Sequence, residues 1–109
     1  GGYFDCSSFT FWVYSRLGLN LSYGGSNTAA SQGRYIVEHN LAVSKDNLLP
    51  GDLIFYSFKT NYRYLNITHV AIYCGNGYVV DASSSKGKVV CRPIYNTNKI
   101  VLCGRPYAS

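Results

Sequence analysis

The stretch His69-Val70-Ala71-Ile72-Tyr73-Cys74-Gly75-Asn76-Gly77-Tyr78-Val79-Val80-Asp81-Ala82 decides how the rest of the chain is read. Two runs rich in β-branched and aromatic residues flank Gly75-Asn76-Gly77. Gly and Asn accept the positive φ that a tight turn demands, so the stretch predicts an antiparallel hairpin. Back toward the N-terminus, Leu53-Ile54-Phe55-Tyr56 follows the Pro50-Gly51 turn and predicts another strand. Beyond the hairpin, Val89 to Arg92 and Ile100 to Cys103 predict two more. Residues 57–66 are polar and aromatic and read as a hairpin or an excursion over the surface. Further upstream the period changes. Phe9, Trp12, Val13 and Leu17 recur at helical spacing, with Phe11 and Tyr14 widening the apolar face. They predict a helix over residues 7–17, with Asp5 as its N-cap and Gly18 as its stop. Thr28 caps a second predicted helix from Ala29 to Glu38. Helices first and turn-linked strands afterwards give the α+β class with a mainly antiparallel sheet.

The chain has 109 residues, enough for one domain spanning residues 1–109. A start at Gly1-Gly2, directly before the residues that carry the chemistry, reads as a cut from a longer chain. The composition, 47% hydrophobic and 14% charged, excludes a disordered tail. No run reaches the ~18 consecutive apolar residues of a membrane span. Net charge is +5 and unevenly spread. Residues 1–81 balance, whereas Lys86, Lys88, Arg92, Lys99 and Arg105 have no acid among them. That skew reads either as a solvated basic face or as attraction to a polyanion. Tyr and basic residues are plentiful, but no nucleic-acid module is recognisable. The cysteines Cys6, Cys74, Cys91 and Cys103 form no C-x-x-C pair, and the two histidines complete no zinc site, so no metal is expected. Cys91 and Cys103 sit in predicted strands and read as small buried residues or as a Cys91–Cys103 bridge.

Cys6 opens the first predicted helix. There its sulfur faces unpaired backbone N–H groups and the positive end of the helix dipole, which favour a thiolate. A nucleophilic thiol needs a base. His39 lies in the polar run Glu38-His39-Asn40, a surface context, whereas His69 opens a strand where a helix packed on the sheet presents Cys6. The base in turn needs an orienting partner. Asp81 lies among Val79, Val80 and Ala82 near the end of the neighbouring strand, and a half-buried carboxylate there seeks a donor. The two readings of Asp81 are a hydrogen bond to His69 and one to the turn at Ser83-Ser84-Ser85.

Four segments then match one pattern in order. Asp5-Cys6-Ser7-Ser8-Phe9 resembles the Asp-Cys-Ser-Gly-Leu motif of the NlpC-type (p-sixty) cell-wall peptidases. Leu49-Pro50-Gly51-Asp52-Leu53 resembles that family's Pro-Gly-Asp-Leu segment, and Thr68-His69-Val70-Ala71-Ile72-Tyr73 its His-Val-Gly-Ile-Tyr strand. Val79-Val80-Asp81-Ala82-Ser83 resembles the segment holding its third polar residue. The resemblance implies a papain-like core and a cysteine peptidase that cuts peptidoglycan stem peptides beside D-glutamate, without a cofactor. It implies Cys6 as nucleophile, His69 as base and Asp81 as orienter. It implies Asp5 and Ser7 as substrate-binding residues, and the Cys6 N–H as an oxyanion donor. It further implies an extracellular or cell-wall location, with anionic wall polymers as a partner for the basic final quarter. Three departures stand out. Ser8 replaces the usual Gly and tightens the space beside the sulfur. Asp81 stands where histidine is more common. The upstream Tyr-x-x-Gly-Gly segment is reduced to Gly1-Gly2. The alternatives are an N-acetylmuramoyl-L-alanine amidase or acyltransferase using the same thioester chemistry, or a non-catalytic wall-binding domain.

Overall fold

The computed structural model describes residues 5–83 and 88–107. Two helices, α1 (Cys6–Arg16) and α2 (Ala29–Glu38), precede five strands: β1 (Leu53–Tyr56), β2 (His69–Gly75), β3 (Tyr78–Ser83), β4 (Lys88–Pro93) and β5 (Ile100–Gly104). The strands form one antiparallel sheet in the order β4-β3-β2-β1-β5. The α+β class and the antiparallel sheet are as expected. The hairpin turns at Asn76 and Gly77, both at positive φ (54° and 80°), as a primed turn requires. A register shift between Tyr73 and Gly75 leaves Cys74 out of the ladder.

Both faces of the sheet are covered. Leu53, Phe55, Val70 and Ile72 pack with Tyr14, Ala29, Ala30 and Ile36 of the helices. Ile54, Tyr56, Ala71, Val79 and Cys103 face the other way, under Val43, Leu48, Ile94 and Tyr95. β1 is therefore buried on both faces, and its unbroken apolar run follows from that. Residues 57–66 contain no strand; they make an excursion ending in a 3-10 turn, Tyr64–Asn66.

Two expectations are corrected. Of the apolar face expected on α1, Tyr14 is buried and Phe9, Phe11 and Val13 pack against the core, but Trp12 and Leu17 are 45% and 68% exposed and the polar Thr10 is buried. Apolar side chains surround this helix, so spacing alone did not single out the core face. The outer ring of Trp12 instead carries the Arg16 guanidinium at 5.2 Å. The Cys91–Cys103 bridge is excluded by topology. β4 and β5 are opposite edges of the sheet, and all four cysteines are free.

Candidate active site

The sequence folds α1 so that Cys6 is its first helical residue. Asp5 caps the helix: its Oδ1 accepts from the Ser8 backbone N–H at 2.8 Å and from the Ser7 hydroxyl at 3.3 Å. Those hydrogen bonds, the Ser8 contributions foremost, hold the Asp5 carboxyl below its usual range. The first turn is also tied to α2. The buried Gln32 amide donates to the Ser7 carbonyl at 2.8 Å and the Asn27 carbonyl at 2.9 Å, and accepts from the Thr10 hydroxyl at 2.6 Å.

His69 is the first residue of β2, paired with Tyr56 of β1. Its Nε2 lies 2.6 Å from Asp81 Oδ2, and the ring also interacts with the Cys6 side chain. Tyr56 and Phe58 wall the ring, with centroids at 5.8 and 6.3 Å. Burial opposes charging of the imidazole, but the hydrogen bonds and negative charges of Asp81 and Cys6 outweigh it and raise His69 to about 9. Asp81 is fully buried. Burial opposes its ionisation too, yet the hydrogen bonds from His69, Arg92 and Tyr95 bring it down to about 2.

The structure thus brings Cys6, His69 and Asp81 together, and Asp81 makes the hydrogen bond to His69. Of the alternative turn partners, Ser84, Ser85 and the side chain of Ser83 lie outside what the structure describes. His39 sits elsewhere, stacked on Tyr35 at the end of α2. Asp5 and Ser7 line the same groove as Cys6, about 530 Å³, whose other wall is Lys59, Asn61, Arg63, Ile67 and Thr68. Ser8 contributes its N–H to the cap and is not part of that wall.

Sequence reasoning missed the layer behind Asp81. Its Oδ2 also accepts from Arg92 Nη2 at 2.9 Å and from the Tyr95 hydroxyl at 2.6 Å. The guanidinium lies 4.2 Å over the Tyr95 ring, and Tyr95 stacks on Tyr56 with centroids 5.0 Å apart. The available signal was the burial expected at Asp81: a buried carboxylate needs more than one donor, and Arg92 lies on the adjoining strand, where Val79 pairs with it.

A buried carboxylate, an imidazole that it orients and a thiol at a helix N-terminus can together move a proton to and from sulfur at an open groove. The arrangement orients the ring and favours its cationic form. Among the described residues no group of three or more His, Cys, Asp or Glu is placed to hold a metal ion, and no helix is long and apolar enough to cross a membrane.

Residues 1–100 match the NlpC/P60 family. The chain is 40% identical over 86 residues to the peptidoglycan DL-endopeptidase CwlO of Bacillus licheniformis, covering 77% of this chain and 16% of that protein. It is 30% identical over 91 residues to the gamma-D-glutamyl-L-lysine dipeptidyl-peptidase of Bacillus cereus, covering 84% of this chain and 24% of that one. The chain therefore spans about a quarter or less of the length of these relatives. Among solved structures, NlpC2 from Trichomonas vaginalis superposes with a TM-score of 0.77 at 27% identity, covering 97% of this chain and 37% of that one. With the family matched over nearly its whole length and the four motif segments in order, the chain belongs to the NlpC/P60 family.

Proposed function

We propose that this domain is a peptidoglycan hydrolase, a cysteine endopeptidase in which Cys6 is the nucleophile, His69 the acid and base, and Asp81 the residue that orients the ring. The observation that carries the reading is the hydrogen bond between Asp81 and His69, with the ring interacting in turn with Cys6, which lines an open groove. The Cys6 thiolate attacks the scissile carbonyl, and the Cys6 N–H supports the oxyanion. The tetrahedral intermediate collapses as the His69 imidazolium protonates the departing amine. The neutral ring then takes a proton from water, which attacks the thioester. The acid product leaves, and Cys6 and His69 regain their ion pair. Asp5 and Ser7 hold the substrate at the groove's rim.

The bond proposed is the one between γ-D-glutamate and the diamino acid of a stem peptide. The likeness to a DL-endopeptidase and to a γ-D-glutamyl-L-lysine peptidase supports it. The substrate places the protein outside the cell or in the wall. Cys6→Ala should abolish release of fragments from purified peptidoglycan while leaving the circular dichroism spectrum unchanged. Lysis that persists in a folded Cys6→Ala variant refutes the assignment. Mass analysis of the fragments separates an endopeptidase, which frees an amino terminus inside the stem, from an amidase, which leaves a bare lactyl sugar.

A further inference from the structure

The excursion over residues 57–66 has a role that the hydrogen-bonded triad does not explain. It carries Lys59 and Arg63 to the wall of the groove that holds Cys6. Arg34 lines the neighbouring hollow and not this groove, and it is occupied: it lies 4.7 Å over the Tyr23 ring and 5.7 Å over Tyr64, with Glu38 at 3.8 Å. Arg92 and Arg105 are bound to Asp81 and Asp52. The side chains of Lys59 and Arg63 have no carboxylate, carbonyl or ring partner among the described residues. Arg63 also lines a second hollow of about 450 Å³, which shares Thr28 with the first, so it stands where the two meet.

The segment is built to hold that position. Tyr62, Leu65 and Asn66 are left-handed, at φ of 58°, 52° and 53°, a conformation that side chains other than Gly resist. It is pinned by Asn66 Oδ1, which accepts from the Asn61 and Tyr62 N–H groups at 3.2 and 3.1 Å. Asn61 Nδ2 donates to the Ile67 carbonyl at 2.8 Å, and Phe58 N–H donates to Thr68 Oγ1 at 3.1 Å. The groove wall therefore carries one acid, Asp5, on the α1 side and two bases, Lys59 and Arg63, on a backbone segment held in place on the other. The N-termini of α1 and α2, at Cys6 and Ala29, open onto the same space and add positive potential.

We propose that Lys59 and Arg63 form an anion subsite of this groove that takes a free carboxylate of the bound peptide. The inference rests on the peptidase reading above and adds to it the chemistry of recognition. A γ-linked glutamyl residue leaves its α-carboxylate free within a few bonds of the scissile carbonyl. The planar Arg63 fork matches a carboxylate bidentately, and Lys59 adds a point charge. Both cations are exposed, so solvent screens the contact and the preference is modest and salt-sensitive.

The test uses two probes, L-Ala-γ-D-Glu-L-Lys and the same tripeptide with its glutamyl α-carboxylate amidated. Calorimetry on the Cys6→Ala protein, which cannot turn the peptides over, should find the carboxylate form bound about fivefold tighter or more. Adding K59Q/R63Q should bring the two peptides within twofold of each other, and should leave affinity for the amide unchanged. Raising salt should erode the preference in the parent and not in the double variant. Equal binding of the two peptides, or a preference that survives K59Q/R63Q, overturns the subsite. Turnover by the intact protein separates the two inferences. If neither peptide is cut while the preference and its loss in K59Q/R63Q are seen, the subsite stands and the peptidase reading falls. If both are cut with equal KM, the peptidase reading stands and the subsite falls.

Discussion

At the residue scale the informative atom is Asp81 Oδ2, which serves His69 Nε2, Arg92 Nη2 and the Tyr95 hydroxyl at once. Arg92 is thereby a positioning residue: it touches the carboxylate that orients the ring and not the groove. The groups that meet His69 are Cys6 from α1, Asp81 from β3, the Tyr56 ring from β1 and the Phe58 ring just after it, with Arg92 of β4 and Tyr95 one step behind. Replacing Arg92 by Gln removes a cation that competes with the imidazolium for the same oxygen. His69, already raised to about 9, should then titrate higher, and the alkaline limb of the rate profile should move up with it. The carboxylate also loses one of its two fixing donors, so kcat should fall about tenfold with KM little changed, and Arg92→Lys should restore part of the rate. An alkaline limb that stays in place in Arg92→Gln removes Arg92 from the site's electrostatics. The difference in legibility between Cys6 and Arg92 has a physical origin. A thiol at a helix start and a histidine at a strand start sit in local patterns that sequence exposes. The Arg92 contact spans two strands and depends on which face each residue takes, and scattered bases look alike until the sheet is assembled.

At the element scale the same contrast separates the two ends of α1. The caps at Asp5 and Thr28 were readable because capping is a contact over three residues. The buried face was readable only in part, because Phe9, Phe11, Trp12, Val13 and Tyr14 offer apolar surface on every side and Trp12 turns outward. What fixes α1 is polar: Gln32 of α2, fully buried, closes three hydrogen bonds onto Thr10, Ser7 and Asn27. Next to it, Gly33 lets α2 settle onto the core, since a Cβ there would lie 2.5 Å from Ile67 Cδ1. No short-range pattern announces a glutamine that joins positions 25 apart in sequence. Gln32→Ala leaves two carbonyls short of a donor and opens a cavity, and should cost about 2–3 kcal/mol in urea denaturation. Because one of those carbonyls belongs to Ser7, the loss should also lower activity in the folded fraction. A cost below about 0.5 kcal/mol would show that water replaces the amide and that the tether is dispensable.

At the scale of the whole molecule, the charge skew read from the sequence changes meaning once the fold is in place. Of the five bases after residue 81, Arg92 and Arg105 are spent on the buried carboxylates of Asp81 and Asp52. Lys86 lies outside the described residues. Lys59 and Arg63, the described bases that line the groove with Cys6, belong to the first 81 residues, the part of the chain that looked neutral. Burying ionised pairs ties stability to pH, and the direction follows from the two shifts at the site. Asp81 lies at about 2 in the fold against an ordinary 3.8. Its contribution is therefore complete above about 4 and lost as pH falls through about 2. His69 lies at about 9 against an ordinary 6.5, so its contribution is complete below about 6.5 and lost as pH rises through about 9. The melting temperature should accordingly be highest between about pH 4 and 6.5 and fall on both sides, earliest on the alkaline side of neutrality. Part of the rise at His69 comes from Cys6. Cys6→Ala should thus begin its alkaline decline at the same pH, complete it at lower pH and lose less in total, while its acid decline stays where it was. Calorimetric scans of both proteins from pH 3 to 10 check this. A melting temperature that climbs between pH 6.5 and 9 in the parent protein would mean that the imidazole is neutral in the fold. The ion pair on which the proposed chemistry begins would then be absent.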